Sequence, residues 1–263
     1  MGLSCPVTKP EIIICRDAGD LALKAAEQFV LLADAAIARS GRFAVALSGG
    51  STPRAPYELL GSAGYRDRVD WPRVRLFWGD ERCVPPDHPE SNFRMVQETL
   101  LDKIRIPPQN VHRMPGEKAP AEAAAAYEQE LREFFALQPG QMPRFDLILL
   151  GLGEDGHTAS LFPGTSALDE TERWVIAVYV EKLQSHRLTL TLPVINAASQ
   201  VTFLVSGASK AKIVSDILAS DSAPLDYPAV KVRPVDGRLA WIIDRDAARN
   251  LPFRLMNQSA ARD

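Results

Sequence analysis

Cysteine is scarce in this 263-residue chain: Cys5, Cys15 and Cys83 are widely spaced and odd in number. That excludes a disulfide framework and a cysteine-built zinc site. No run approaches the roughly 20 apolar residues of a membrane-spanning helix, so no membrane partner is expected. The opening "MGLSCPVTKP" lacks the apolar stretch of a signal peptide, and Pro6 stands where a myristoylation signal needs Ser or Thr. The cytoplasm is therefore the expected compartment. An excess of one charge is missing too, with 30 Lys and Arg against 33 Asp and Glu. The locally basic "YRDRVDWPRVR" (65–75) alternates its arginines with apolar and acidic residues and reads as a solvated strand flank. Nucleic acid is not an expected partner. Neither glycine signature of nucleotide sites occurs, nor the G-x-S-x-G elbow of serine hydrolases. An intrinsic metal is not expected either: Glu154 and His157 are three apart, but glycines break the segment and no second His/Cys cluster completes a site.

What is present is the composition of a globular protein, 46% hydrophobic and 24% charged. Its length suits one α/β domain spanning 1–263. Short apolar strands are expected at 11–15, 43–47, 73–78, 145–150, 174–180, 187–192, 200–207 and 238–244. Between them lie helical patterns at 20–41, 53–60, 93–101, 119–137 and 209–220. Strands that are apolar on both faces and alternate with helices predict a three-layer α/β/α fold around a mostly parallel sheet. "PGEKAP" and "QPGQMP" read as ordinary loops, and no internal repeat is found.

In such sheets ligands gather beyond the carboxyl ends of strands. Three loops there are rich in residues that folding does not require: 48–53, 79–92 and 151–164. In the first, Gly49 and Gly50 permit a tight turn into a helix, capped by Ser51 or Thr52 with Pro53 at the first helical position. Such a helix start is either a plain capped turn or an anion site, and a sugar phosphate fits it better than a nucleotide. In the second, Arg82 suits a phosphate and Asp80 a sugar hydroxyl; taken alone, the loop favours an internal salt bridge in a proline-stiffened surface segment. His88 is expected to face solvent, and Ser91 and Asn92 to cap the next helix and reach the site. In the third, Gly151, Gly153 and Gly156 let Asp155 and His157 be held close to a small ligand. Imidazole moves protons near neutral pH, and a neighbouring carboxylate orients it. His112 and His186 lack such a setting and read as structural.

"LSGGSTP", "FWGDERCVPPDHPESN" and "DLILLGLGEDGHTASLFPG", in that order, resemble the motifs of the 6-phosphogluconolactonase family. "VEKLQSHRLTLTLPVINAA" is similar to its Lys-five-before-Arg segment, giving Lys182 and Arg187, with Leu183, Gln184 and Ser185 where the family has prolines. "GASKAKIV" (207–214) resembles a further family element, and the resemblance spans about 12–245. It implies a fold shared with glucosamine-6-phosphate deaminases and ribose-5-phosphate isomerases. It also implies no cofactor and hydrolysis of a phosphorylated sugar lactone, 6-phosphoglucono-δ-lactone, by proton transfer centred on His157. Asp155 orients the ring. Ser48, Gly49, Gly50, Ser51 and Thr52, with Arg82, Lys182 and Arg187, hold the phosphate. Two other functions fit the same loops: a glucosamine-6-phosphate deaminase, whose family carries an "FNEP"-type segment where this chain has "ASLFPG", and a non-catalytic sugar-phosphate sensor.

Overall fold

The computed structural model describes residues 9–138, 140–219 and 226–256. The N-terminal segment with Cys5 and Pro6, Pro139 of "QPGQMP" and Ser220 at the end of the last expected helix lie outside them.

The described residues form ten strands: β1 (Glu11–Cys15), β2 (Phe43–Leu47), β3 (Val74–Trp78), β4 (Asp80–Arg82), β5 (Val111–His112), β6 (Leu147–Leu150), β7 (Val175–Val180), β8 (Ser185–Leu190), β9 (Gln200–Val205) and β10 (Arg238–Asp244). The main helices are α1 (Ala18–Ser40), α2 (Ser51–Leu60), α3 (Asn92–Thr99), α4 (Pro120–Phe135), α5 (Leu192–Ala197), α6 (Ala211–Leu218) and α7 (Arg245–Ala248). Seven strands make one sheet in the order β1-β10-β9-β6-β2-β3-β5, with every pair parallel. β2, β6 and β9 are buried along their whole length, which explains their uninterrupted apolar sequences. With its helices this sheet is the expected α/β/α architecture.

From β2 the chain builds outward through β3 to β5; it then returns to β6 and builds the other way through β9 to β10. β2 and β6 therefore flank the point where the winding reverses, and the crevice opens beyond their carboxyl ends. The loops 48–53 and 151–164 leave from those two strands.

Three expectations need correction. The strand candidates at 174–180 and 187–192 do not join the main sheet. They become β7 and β8 of a separate antiparallel sheet ordered β4-β8-β7. Its third member, β4, is cut from the segment expected to be loop, because Asp80–Arg82 pair with Arg187–Thr189. Helix α2 begins at Ser51, two residues earlier than expected, and its cap is Gly50 with φ 100°. Only glycine adopts that dihedral freely, so the turn is made there. Ser51 and Thr52 fall inside the first turn rather than capping it, and Pro53 is the third helical residue.

Two buried tyrosines fasten the rim. Tyr57 Oη accepts from Ser48 N–H and donates to Ser48 C=O, each at 3.1 Å. Tyr127 Oη takes Trp78 N–H at 2.9 Å and reaches the carbonyls of Trp78 and His112 at 3.3 and 3.2 Å. Both phenols are held above their ordinary pKa by burial, so both stay protonated donors.

Candidate active site

A cavity of about 230 Å³ lies beyond β2, β3, β6 and β9. Ser48, Gly49, Gly50, Ser51 and Thr52 form one wall, Asp80, Arg82 and Asn92 a second, and His157 a third. Three loops far apart in sequence thus converge as expected.

His157 is posed by its own turn. Gly153 N–H donates to His157 C=O at 2.8 Å, and Thr158 Oγ1 donates to Gly151 C=O at 2.9 Å. The chain folds back so closely that a Cβ on Gly153 would stand 2.0 Å from His157 Nδ1, which only glycine permits. Asp155 Oδ1 meets Nδ1 at 2.5 Å and also accepts the His157 backbone N–H at 3.2 Å. The ring stacks on Phe162 with centroids 4.2 Å apart. With Nδ1 occupied, the proton-accepting position left is Nε2, for which no hydrogen bond is found among the described residues.

Burial lowers the His157 pKa, outweighing the Asp155 carboxylate that raises it, so the ring is neutral at neutral pH. For Asp155 burial pulls upward, but hydrogen bonds from Lys182 and His157 outweigh it and hold the carboxyl at about 2. Asp155 therefore stays ionised, an acceptor that keeps the proton on Nδ1.

Asp80, only 8% exposed, accepts from Ser160 Oγ at 2.7 Å and borders the cavity. Glu81 turns the other way. It accepts from Ser91 Oγ at 3.1 Å and from the N–H groups of Asn92 and Phe93, each at 2.8 Å, tying β4 to the start of α3. Ser91 is the cap of that helix and Asn92 its first residue, so only one of the two expected caps acts as one. Arg82 donates to the Glu90 carbonyl and has no acid partner among the described residues. His88 is half-buried rather than solvent-facing, because its Nδ1 accepts Glu90 N–H at 3.1 Å.

The glucosamine-6-phosphate isomerases/6-phosphogluconolactonase family model matches residues 16–241. The chain belongs to this family. It is 47% identical to the 6-phosphogluconolactonase of Synechocystis over 217 residues, 82% of this chain and 88% of that one. The structure of 6-phosphogluconolactonase from Trypanosoma cruzi superposes with a TM-score of 0.81 at 32% identity, covering 92% of this chain and 97% of the other. A monomeric glucosamine-6-phosphate deaminase superposes with a TM-score of 0.74 at 22% identity and shares the fold, over 91% and 99% of the two chains.

Within this member of the family, Lys182 and Arg187 depart from the placement expected for phosphate ligands. Neither lines the cavity that holds the GGST turn. The Lys182 ammonium pairs with Asp155 Oδ2 and lies 4.7 Å from the Phe162 ring centre, facing a neighbouring cavity of about 670 Å³. Arg187 sits on β8 directly across from Arg82 of β4. Burial, then the Arg82 charge, lowers its pKa.

Lys210 is a cavity residue that the sequence motifs alone do not mark out. It enters the cavity from the turn after β9, where no ion pair is found for it among the described residues. Ser206 and Thr158 also line the cavity. The one pointer to Lys210 was the "GASKAKIV" resemblance, because its position depends on β9 lying beside β6.

Proposed function

We propose that this protein hydrolyses 6-phosphoglucono-δ-lactone to 6-phosphogluconate in the oxidative pentose phosphate pathway, as a cytoplasmic enzyme working on a small molecule. One observation carries the reading: a neutral, carboxylate-oriented imidazole borders the same small cavity as a helix start with a glycine turn. Among the described residues no helix is long and apolar enough to cross a membrane.

The phosphate sits at the N-terminus of α2. There the first-turn N–H groups have no helical acceptor, and the Ser51 and Thr52 hydroxyls add donors. Lys210 and Arg82 supply positive charge from the facing walls. Lys182 acts through Asp155 instead, fixing the carboxylate that fixes the ring. At the other end of the sugar, His157 Nε2 takes a proton from water as the water oxygen bonds to the lactone carbonyl carbon. The tetrahedral intermediate then expels the ring oxygen, which takes the proton back from the imidazolium. Asp155 remains ionised throughout and stabilises that imidazolium. The product carboxylic acid ionises, so each turnover releases one proton.

The test is proton release from freshly prepared 6-phosphoglucono-δ-lactone beside the unphosphorylated lactone. Turnover is expected for the phosphorylated compound, and its absence rejects the reading. His157→Ala should lower kcat by about 10² to 10⁴ while leaving the affinity for 6-phosphogluconate nearly intact. An unchanged kcat removes His157 from the mechanism.

A further inference from the structure

A buried carboxylate outside the cavity has no part in the chemistry above. Asp244, the last residue of β10, is only 4% exposed, and no ion pair is found for it among the described residues. A charge so placed is costly unless hydrogen-bond donors surround it. Asp244 has three. Ala247 N–H donates to Oδ1 at 2.8 Å and so caps α7, Ser206 Oγ donates to Oδ2, and Gly207 N–H is shared between Oδ1 and Oδ2 at 3.1 and 3.0 Å.

Capping α7 accounts for the first donor only, and serine would cap that helix as well. The other two donors lie on the turn that leaves β9. Strand register brings them there: Ile243 stands beside Val205, so the residues that follow, Asp244 and Ser206, leave the sheet side by side. Gly207 then turns with φ 98°, a dihedral that favours glycine, and its carbonyl accepts Lys210 N–H at 3.0 Å. A single residue, Gly207, thus links the Asp244 carboxylate to the backbone of Lys210, the half-buried cation of the cavity wall.

We propose that Asp244 is a positioning residue for substrate binding: it fixes the Gly207 turn so that Lys210 is held facing the phosphate of the sugar lactone. The inference rests on the reading that this phosphate seats at the start of α2 with Lys210 opposite. A long side chain rooted in a loose turn loses more freedom when it grips a ligand, and a turn fixed in advance removes part of that loss.

The experiment is a double-mutant cycle on kcat/KM for 6-phosphoglucono-δ-lactone, with Asp244→Ser, Lys210→Ala and the two combined. Asp244→Ser keeps a cap for α7 and releases the turn. It should lower kcat/KM roughly 10-fold, chiefly through KM, and Lys210→Ala should lower it roughly 10- to 100-fold. In the Lys210→Ala background the loss from Asp244→Ser should shrink to about twofold or less. Asp244→Asn, close in shape and still offering an oxygen to Ala247, should fall between the wild type and Asp244→Ser, and it replaces the serine variant in the cycle if that one does not fold. A merely structural role for Asp244 would give the same fold-loss in both backgrounds, which overturns the proposal. An unchanged KM in the Asp244 variants overturns it too, and an unimpaired Lys210→Ala overturns it together with the seat given to the phosphate. Failure of the wild type to turn over the lactone would refute the hydrolase reading instead, so the two are told apart.

Discussion

An imidazole works as a base at neutral pH only while it is unprotonated and presents the right nitrogen. In His157 these two demands are met by different neighbours: burial lowers the pKa, and Asp155 fixes the tautomer. They pull in opposite directions on the titration. Asp155→Asn should therefore move the acid limb of the kcat/KM profile to lower pH, since a charge that raised the His157 pKa is gone and Lys182 has lost its partner. The same variant should lower kcat by about 10²-fold or more. A limb that shifts upward, or an unmoved kcat, would contradict this division of roles.

For stability the signs differ by group. The Asp155 carboxyl, at about 2 in the fold against an ordinary 3.8, contributes stability above pH 3.8 that is lost as pH falls towards 2. The carboxylate is one-third exposed, so the contribution is small. His157, lowered from 6.5, is protonated more readily in the unfolded chain, so acidification below that value also weakens the fold.

At the scale of elements, the turn between β6 and Ala159 is shaped by what it leaves out. Gly153→Ala should cost at least about 10²-fold in kcat, because the added methyl would collide with the His157 ring and Asp155 Oδ1 at 2.7 Å. Crystal coordinates of the variant would show the ring displaced from Asp155; an undisplaced ring with full activity would show that the turn has slack. This turn was legible in the sequence, since glycines and polar residues directly after a buried strand have few structural uses. The small sheet was not. β4 has three residues, too few for periodicity, and "VIAVYV" and "RLTLTL" declare themselves as strands without saying which partners they take. Lys182 and Arg187 lie outside the cavity of the glycine turn for related reasons: the first sits in the connection from β7 to β8, and the second is set by the register of β8 against β4 and β7. Lys210 precedes an amphipathic helix and has no local signal beyond the "GASKAKIV" resemblance, because only the packing of β9 against β6 brings it to the cavity.

Over the whole molecule, the first described strand completes a sheet whose neighbouring strand comes from the far end of the chain: β1 pairs along its whole length with β10. Removing residues 1–16 would uncover β10, an apolar strand whose edge could pair with other chains. Such a protein should melt roughly 10 °C lower or more and form higher-order species in size-exclusion chromatography. An unchanged melting temperature with a single peak would show that the edge is dispensable. Parallel order follows from strand–helix alternation, so the carboxyl ends of the strands are legible as the ligand side of the sheet, whereas the reversal between β2 and β6 is visible only in the folded strand order. Tyr57 adds something that alternation does not encode. By occupying both main-chain groups of Ser48 it removes them from service, so on the proposed reading the anion seats one step further out, on the helix side of Gly49. The span from that seat to the imidazole is thereby set like the jaws of a caliper. On the proposed reading, a phosphorylated lactone one carbon shorter should show a lower kcat/KM than the parent, because it must span the same two fixed points.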